Sequence, residues 1–159
     1  YYNYYSSKSG GKIEVHPLSV EDLYFQENLS VAKLMAHDGK KIKILPIIHD
    51  EDLRNKILPV SKIIGKSNPD YLIDGLVFDL KTPTSFSKRA IKSTLEEAKR
   101  QCNNVIINIT DKNTISLDEI VNTVKGKLNT PEMKKFGKVW INYKGKMYYE
   151  LIKKPTNVI

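Results

Sequence analysis

The hydrophobic and polar positions in the first part of the chain predict a helix, a strand and a long loop. Residues 19–38 carry apolar side chains at the spacing of one helical face, and Gly39 follows where a helix would end. Residues 41–48 alternate between apolar and polar side chains, as a half-buried strand does. Residues 49–67 are polar and irregular, so we expect a loop there that contains a short helical turn.

One acidic side chain falls on the apolar face of this first helix. Glu27 lies four residues from both Leu23 and Val31, so helical periodicity turns its carboxylate toward the core. An acid in that position is costly unless another group compensates it. Glu27 is therefore a candidate functional residue, and a simple salt bridge is the alternative explanation.

The segment NPDYLIDGLVFDLKTP predicts a tight hairpin. Asp74 and Gly75 stand between two apolar runs and form a typical two-residue turn. With that turn, Asp70 faces Asp79 across the strand pair. The two-residue period then places Lys81 on the same face as both acids. This face also carries Leu72 and Val77, and the opposite face carries Tyr71, Ile73, Leu76, Phe78 and Leu80.

The second half of the chain predicts two more helices and three more strands. A basic amphipathic pattern favours a helix over residues 87–102, and residues 104–110 (NVIINIT) are typical of a central strand. Ser116 and Glu119 have the spacing of a capping box, which begins a third helix. A last hairpin turns at Gly145, with strands over residues 138–144 and 146–152. The predicted order α-β-β-β-α-β-α-β-β describes an α/β (α+β) domain with a mixed central sheet and packed helices.

The length of the chain, 159 residues, suits one domain with one core. Residues 1–15 begin with YYNYYSSKSGG, which lacks apolar periodicity, so we predict a linker or tail there and the domain over residues 16–159. No apolar run is long enough to cross a membrane. Cys102 ends a helical apolar stripe, and we expect it to pack in the core.

Charge adds a clue about the ligand. The chain has 26 Lys and Arg residues against 18 Asp and Glu residues, a formal net charge of +8. This excess favours a polyanionic ligand, above all nucleic acid. A generally lysine-rich proteome would produce the same excess, so charge alone does not decide the function.

The facing carboxylates of the hairpin are the strongest chemical signal. Like charges at opposed strand positions repel each other. A divalent cation such as Mg²⁺, a shared proton or the neighbouring ammonium of Lys81 would relieve the repulsion. Mg²⁺ held by Asp70, Asp79 and Glu27 would polarise a phosphodiester, and Lys81 would stabilise the charge that develops on it. The alternative is a turn-capping Asp70 and an exposed Asp79–Lys81 ion pair.

These residues resemble the signature of the PD-(D/E)XK nuclease superfamily, whose core order is α-β-β-β-α-β. The chain has Pro69-Asp70, then Asp79-Leu80-Lys81, after a helix that holds Glu27. The resemblance implies a metal-assisted nuclease in which Asp70, Asp79, Lys81 and Glu27 are catalytic.

A longer stretch is similar to the C-terminal toxin domains of contact-dependent growth inhibition proteins. It comprises ENLSVAKLMAHDGKKIKIL, the hairpin segment, the basic helix ending in Gln101, and NNVIINI. The resemblance implies a tRNA-cleaving toxin that is secreted or delivered as part of a larger protein and acts in the cytoplasm of a rival bacterium. It also implies a cognate immunity protein, which we expect to be acidic and to cover the basic helix.

Some toxin domains of this kind have the barnase/EndoU/colicin/RelE-like ribonuclease fold, which works without metal and often lacks a lysine at the position of Lys81. Such an enzyme would use a general base to activate a 2′-hydroxyl. The candidate bases would then include His16, His37 and His49, none of which lies in a recognisable motif.

The second predicted helix supplies candidate substrate contacts. By the resemblance, Thr94 and Gln101 would reach the hairpin face, although a polar helix flank explains them equally well. Its basic residues are plausible phosphate contacts, with solvated lysines as the alternative. They are Lys88, Arg89, Lys92, Lys99 and Arg100.

Two functions of other classes remain open. A non-catalytic nucleic-acid-binding module accounts for the charge but not for two facing acids near a phosphate. An interaction domain that docks through the hairpin accounts for its apolar face, which a core explains more simply. The chain has no Gly-rich phosphate loop and no Cys/His cluster typical of zinc.

Overall fold

A computed structural model describes residues 1–85 and 87–152 of the chain. Within these residues the fold has four α-helices and one sheet of eight strands. The helices are α1 (Phe25–His37), α2 (Glu51–Ile57), α3 (Lys88–Gln101) and α4 (Leu117–Leu128). The strands are β1 (Tyr2–Ser6), β2 (Lys12–Val15), β3 (Lys41–Ile44), β4 (Tyr71–Ile73), β5 (Leu76–Lys81), β6 (Val105–Ile109), β7 (Val139–Tyr143) and β8 (Lys146–Tyr148). The predicted α/β class, with a mixed sheet in a single domain, is confirmed.

The strands lie side by side in the same order as they occur in the chain. The pairs β2–β3, β5–β6 and β6–β7 are parallel, and the other neighbours are antiparallel. Each parallel pair is connected through a helix, because the chain must return to the starting edge of the sheet before the next parallel strand. The carboxyl ends of β5, β6 and β7 therefore meet at one edge.

Helices cover both faces of the sheet and divide the core into two main clusters. On one face, α1 packs with Phe25, Met35 and other apolar residues against Ile42, Tyr71 and Phe78. On the other face, α3 and α4 pack against the alternate residues of β6 and β7. This arrangement leaves the β4–β5 hairpin between the two helical layers.

The register of the β4–β5 hairpin confirms the prediction from the Asp-Gly turn. Tyr71 pairs with Phe78, and Ile73 pairs with Leu76. Asp74 and Gly75 have φ angles of 51° and 78°, which are the left-handed values that a type I′ turn requires. The turn therefore sets the alignment of the acids at the other end of the hairpin.

Most other predicted elements are confirmed with shifted ends. The hydroxyl of Ser87 accepts a hydrogen bond from the backbone of Ala90 and caps α3. That of Ser116 accepts one from Glu119 and caps α4. The predicted short helical turn after the third strand is α2, and that strand ends at Ile44.

The first helix is shorter than predicted. Residues Pro17–Glu21 form a separate 3₁₀ helix, and α1 begins only at Phe25. The helical conformation is interrupted at Asp22, whose backbone is extended and whose carboxylate accepts a hydrogen bond from the backbone N–H of Ile47. Leu23 consequently lies outside α1 and is 84% exposed, so its assignment to the apolar face is wrong.

The prediction of a linker or tail over residues 1–15 also needs correction, because this segment forms β1 and β2 of the sheet. It also ties down the end of α1. The hydroxyl of Ser7 donates to the carbonyl of Ala36 at 2.6 Å, and that of Ser9 donates to the carbonyl of His37 at 2.7 Å. These bonds satisfy carbonyl groups that the last turn of a helix leaves without partners.

Two glycines test whether the N-terminal segment is part of the folded unit. A Cβ atom at Gly11 would lie 1.9 Å from the carbonyl oxygen of Ala36, whereas one at Gly126 in α4 would meet nothing within 4 Å. We expect Gly11→Ala to lower the free energy of unfolding by about 1–3 kcal/mol. Gly126→Ala should raise it by roughly 0.5–1 kcal/mol because alanine favours the helix. Urea denaturation measures both, and an unchanged midpoint for Gly11→Ala would contradict this packing.

Candidate active site

The acidic pair lies in a cleft of about 530 Å³ at the carboxyl end of β5. Open α/β sheets bind ligands at such edges. We call it the acidic cleft; its functional side chains are Glu27, Asp70, Asp79, Lys81 and Gln101. The structure thus brings all four predicted catalytic residues to one cleft.

Asp70 and Asp79 lie next to each other, Asp70 partly buried and Asp79 almost fully buried. Asp79 is only 3% exposed. Asp70 accepts hydrogen bonds from the backbone N–H of Leu80 at 2.7 Å and from the amide of Asn28 at 3.1 Å. Burial raises the pKa of Asp70 well above its usual value, and the charge of Asp79 raises it further. The neighbouring charge of Asp79 therefore disfavours the ionised form of Asp70.

Lys81 connects this pair to α3. Its ammonium lies 3.0 Å from Oδ2 of Asp79 and donates a hydrogen bond to the side-chain oxygen of Gln101 at 2.8 Å. Oδ2 of Asp79 is buried and accepts no hydrogen bond. Its negative charge is balanced by the ammonium of Lys81. Gln101 therefore holds the cation beside the acid, and its prediction as a residue that reaches the hairpin face agrees with this position.

Glu27 is the third residue of α1 and lines the acidic cleft. Its carboxylate accepts a short hydrogen bond from the hydroxyl of Thr82, which follows directly after β5. The hydroxyl of Tyr71 donates to the backbone carbonyl of Asn28 at 2.7 Å, which fixes the first turn of α1 against the hairpin. These contacts therefore hold Glu27, near the start of α1, against the hairpin that carries Asp70 and Asp79.

The donor set fits a divalent cation that takes two protein carboxylates. Asp70 and Asp79 both line the cleft, and the buried Oδ2 of Asp79 accepts no hydrogen bond and lies 3.0 Å from the ammonium of Lys81. Mg²⁺ commonly binds through one or two carboxylates and completes its shell with water and substrate oxygens. Over residues 1–85 and 87–152, no group of three or more His, Cys, Asp or Glu side chains is placed to hold a metal ion. In this arrangement Glu27 is engaged by Thr82 beside the pair.

The candidate substrate contacts of α3 divide into three groups. Gln101 lines the acidic cleft. Thr94 is 8% exposed and packs inside the domain, so it does not line the cleft. The basic residues are exposed along the helix outside the cleft, and two of them line a separate groove between α3 and α4. These exposed residues are Lys88, Arg89, Lys92, Lys99 and Arg100.

The three histidines lie away from the acidic cleft. His16 accepts a hydrogen bond from the backbone of Leu18, His37 contacts the hydroxyl of Tyr5, and His49 is exposed. The thiol of Cys102 donates to the carbonyl of Val77, and its burial raises its pKa to about 11, as suits a core residue. The cleft therefore relies on carboxylates and an ammonium.

Sequence reasoning missed several polar residues around the site. Asn28 supplies a donor to Asp70. Arg54 is buried and binds the carbonyls of Ile48 and Ser67 together with the side chain of Asn68, which fastens α2 beside the cleft. In the sequence, Arg54 is an isolated cation within a short helix. Sequence alone does not distinguish a buried arginine at such a position from a solvated one.

Comparison with known proteins identifies the family. Residues 66–147, more than half of the chain, match the model of the contact-dependent growth inhibition CdiA C-terminal domain. The chain belongs to this family. It is accordingly a toxin domain of the kind delivered as part of a larger secreted protein. The matched residues include the hairpin acids, Lys81 and Gln101.

A solved structure supports the same fold. The chain resembles a chain in the CdiA-CT/CdiI toxin and immunity complex from Burkholderia pseudomallei, with a TM-score of 0.57 and 20% sequence identity. The match covers 87% of this chain and 97% of that one. No curated protein matches the CdiA C-terminal domain described here in sequence. None of its described helices has both the length and the apolar character that a membrane span requires.

The raised pKa of Asp70 predicts how this domain responds to pH. Because the folded state holds the proton of Asp70 more tightly than the unfolded state, the contribution of Asp70 to stability is fully present below its unfolded pKa and is lost as the pH rises through its folded pKa. We expect Asp70→Asn to unfold at a higher urea concentration than the wild type at pH 7, with the difference shrinking near pH 4. Urea titrations across this range measure the effect.

Asp74→Asn is the matched control, because Asp74 is an exposed residue in the turn of the same hairpin. It should leave the pH dependence of the wild type unchanged. An Asp70→Asn variant whose stability has the same pH dependence as that of the wild type would contradict the raised pKa of Asp70.

Proposed function

We propose that this CdiA C-terminal domain is a nuclease toxin that cleaves phosphodiester bonds in RNA, with tRNA as its substrate. The single observation that carries the proposal is the pair formed by the partly buried Asp70 and the buried Asp79, with Lys81 at 3.0 Å from Asp79, in one cleft. Paired acids are costly to stability, and their proximity is an active-site arrangement.

The residues of the chain divide the work of hydrolysis between them. Attack by water on phosphorus adds negative charge to the phosphate oxygens as the bond to the leaving oxygen breaks. The ammonium of Lys81 stabilises that charge, and its hydrogen bond to Gln101 fixes the ammonium before the substrate arrives. Asp70 is held in place by Asn28 and by the backbone of Leu80, so the acid pair needs no rearrangement to act.

Asp70 and Asp79 are the residues that would hold Mg²⁺ or another divalent cation. Bound there, the cation would polarise the phosphodiester and lower the pKa of water. Glu27 stands beside the pair as a further anchor, oriented by Thr82. In the absence of a cation, protonation of Asp70, whose pKa is raised, would relieve the repulsion.

Charge and family support RNA as the substrate. The net charge of +8 attracts a polyanion, and the exposed basic residues of α3 continue from the Gln101 end of the cleft along one helix. We assign them to contacts with RNA phosphates outside the cleft. As a toxin, the domain would act on tRNA in the cytoplasm of the target cell.

Cleavage of RNA by the purified chain tests the proposal. With total bacterial RNA and Mg²⁺, we expect loss of tRNA-sized bands, and we expect Asp79→Asn to slow the cleavage by about 100-fold or more because it removes a charge of the acid pair. Asp74→Asn is the control and should cleave like the wild type, since it changes an exposed acid of the same hairpin. Denaturing gels with the RNA fragments sequenced at their ends measure the rates and the cut sites.

The response to EDTA tells the two ribonuclease mechanisms apart. Activity that requires Mg²⁺ supports the metal-assisted mechanism, whereas activity that persists in EDTA favours a metal-independent ribonuclease of the barnase/RelE-like kind. If wild-type protein leaves both RNA and plasmid DNA intact in Mg²⁺, the nuclease proposal is wrong, and a binding module takes its place.

We also propose a cognate immunity protein of acidic character that covers the basic face of α3. The complex named for the similar solved structure contains a toxin and an immunity protein, and the exposed cations of α3 suit an acidic surface. We expect the double variant Lys92→Glu/Arg100→Glu to weaken this binding by about 10-fold or more, with a stronger dependence on salt in the wild type.

Titration calorimetry of a candidate immunity protein with each variant measures this effect. Lys125→Glu, which reverses an exposed charge on α4, is the matched control and should bind as the wild type does. Equal affinity for the double variant and the control would place the immunity protein on another surface.

A further inference from the structure

Two asparagines stand where the pattern of the central strands calls for apolar residues. Asn108 in β6 and Asn142 in β7 pair directly across the parallel strands. They are only 5% and 6% exposed, and their neighbours Ile107 and Ile141 are fully buried. A buried amide destabilises a sheet unless its polar atoms find partners. Their presence at the carboxyl edge therefore requires a reason beyond packing.

The amides form a chain of hydrogen bonds that leads to Glu27. The backbone N–H of Gly145 donates to the side-chain oxygen of Asn142, and the Asn142 amide donates to the oxygen of Asn108 at 2.7 Å. The amide of Asn108 then donates to the hydroxyl of Thr82 at 3.0 Å, and Thr82 donates to Glu27. Every donor points the same way, so the chain stabilises the carboxylate of Glu27.

This chain of hydrogen bonds leaves some of its amide N–H donors unused. A side-chain amide carries two N–H groups, and among the described residues Asn108 and Asn142 each use one. The second N–H groups belong to side chains that line a cleft of about 490 Å³ on the α1 face of the sheet. We call it the amide cleft; the residues used here are Glu27, Thr82, Asn108, Asn142 and Lys144.

The amide cleft continues from the acidic cleft, because Glu27 and Thr82 line both. Its wall includes the apolar side chains of Val31 and Leu34, and Lys144 stands exposed at its rim. Apolar surface for a ring, amide N–H groups for its acceptors and an ammonium for a phosphate are the parts of a nucleotide site.

We propose that the amide cleft is a second nucleotide subsite, which holds the nucleotide next to the phosphate that is cleaved in the acidic cleft. The proposal rests on the proposed nuclease function for the identity of its ligand. Asn108 and Asn142 bind the polar edge of the base, and Lys144 binds its phosphate. Glu27, at the boundary, separates this subsite from the reacting phosphate and is oriented by the same amides.

Binding of nucleoside monophosphates tests the subsite without any need for cleavage. We expect the side-chain amide signals of Asn108 and Asn142 in nitrogen-15 spectra of the wild-type chain to shift saturably when AMP, CMP, GMP or UMP is added. Asn55, which is exposed outside both clefts, provides the reference signal and should stay in place. A purely structural asparagine pair would not respond, and unmoved signals for Asn108 and Asn142 would overturn the proposal.

A substitution at the rim provides a second test. Lys144 has a φ angle of 52°, which asparagine tolerates, so Lys144→Asn removes the charge with little strain. In an Asp79→Asn background that prevents cleavage, we expect Lys144→Asn to weaken binding of a six-nucleotide single-stranded RNA by about 10-fold. Lys125→Asn, at an exposed site on α4, should not change it. Fluorescence anisotropy measures the affinities. Equal affinities with and without Lys144→Asn would show that Lys144 does not bind the RNA and would contradict the proposed subsite.

The two proposals fail in different ways. If the wild type cleaves RNA while the asparagine signals ignore every nucleotide, the nuclease function stands and the subsite is wrong. If the signals shift but no RNA or DNA is cleaved, the subsite binds nucleotides in a protein that is not a nuclease.

Discussion

The packing of the partly buried Asp70 beside the buried Asp79 is the constraint on which the architecture of this toxin domain depends. Two acids at opposed positions of a hairpin repel each other, so the surrounding elements must supply compensating donors. The first turn of α1 supplies the amide of Asn28, and the backbone of β5 supplies the N–H of Leu80. Lys81, held from α3 through Gln101, supplies the cation. Helices from both faces of the sheet thus converge on one pair of carboxyl groups.

A third acid, Glu27, receives its compensating donors from polar residues that interrupt an otherwise apolar face of the sheet. The face of β5, β6 and β7 that packs on α1 is apolar through Phe78, Ile106 and Trp140, then changes to polar residues at its carboxyl edge. On this face the apolar core therefore gives way to a polar network, and the buried amides are tolerated because they find hydrogen-bond partners.

Local features of the site could be predicted from the sequence, and features that depend on distant partners could not. The facing of Asp70 and Asp79 follows from a two-residue turn and a two-residue period, both readable within one short segment. By contrast, residues 1–15 lack periodicity, and they join the sheet because β2 pairs with β3 and serine hydroxyls reach the end of α1. In the sequence, Asn108 is one residue of the largely apolar run NVIINIT. Its hydrogen-bond partner Asn142 lies 34 residues away, so no local pattern indicates that the two amides pair.

The order of the strands in the sheet has a consequence for the route by which the domain folds. Because every strand lies next to its neighbours in the chain, no pairing has to wait for a segment beyond the next strand, and the pairs β1–β2, β4–β5 and β7–β8 close through short loops. The β4–β5 hairpin, which aligns the acids, is among the most local of these pairings. A chain that had been unfolded would therefore align its two acids early, before the longer connections bring α1 and α3 beside them.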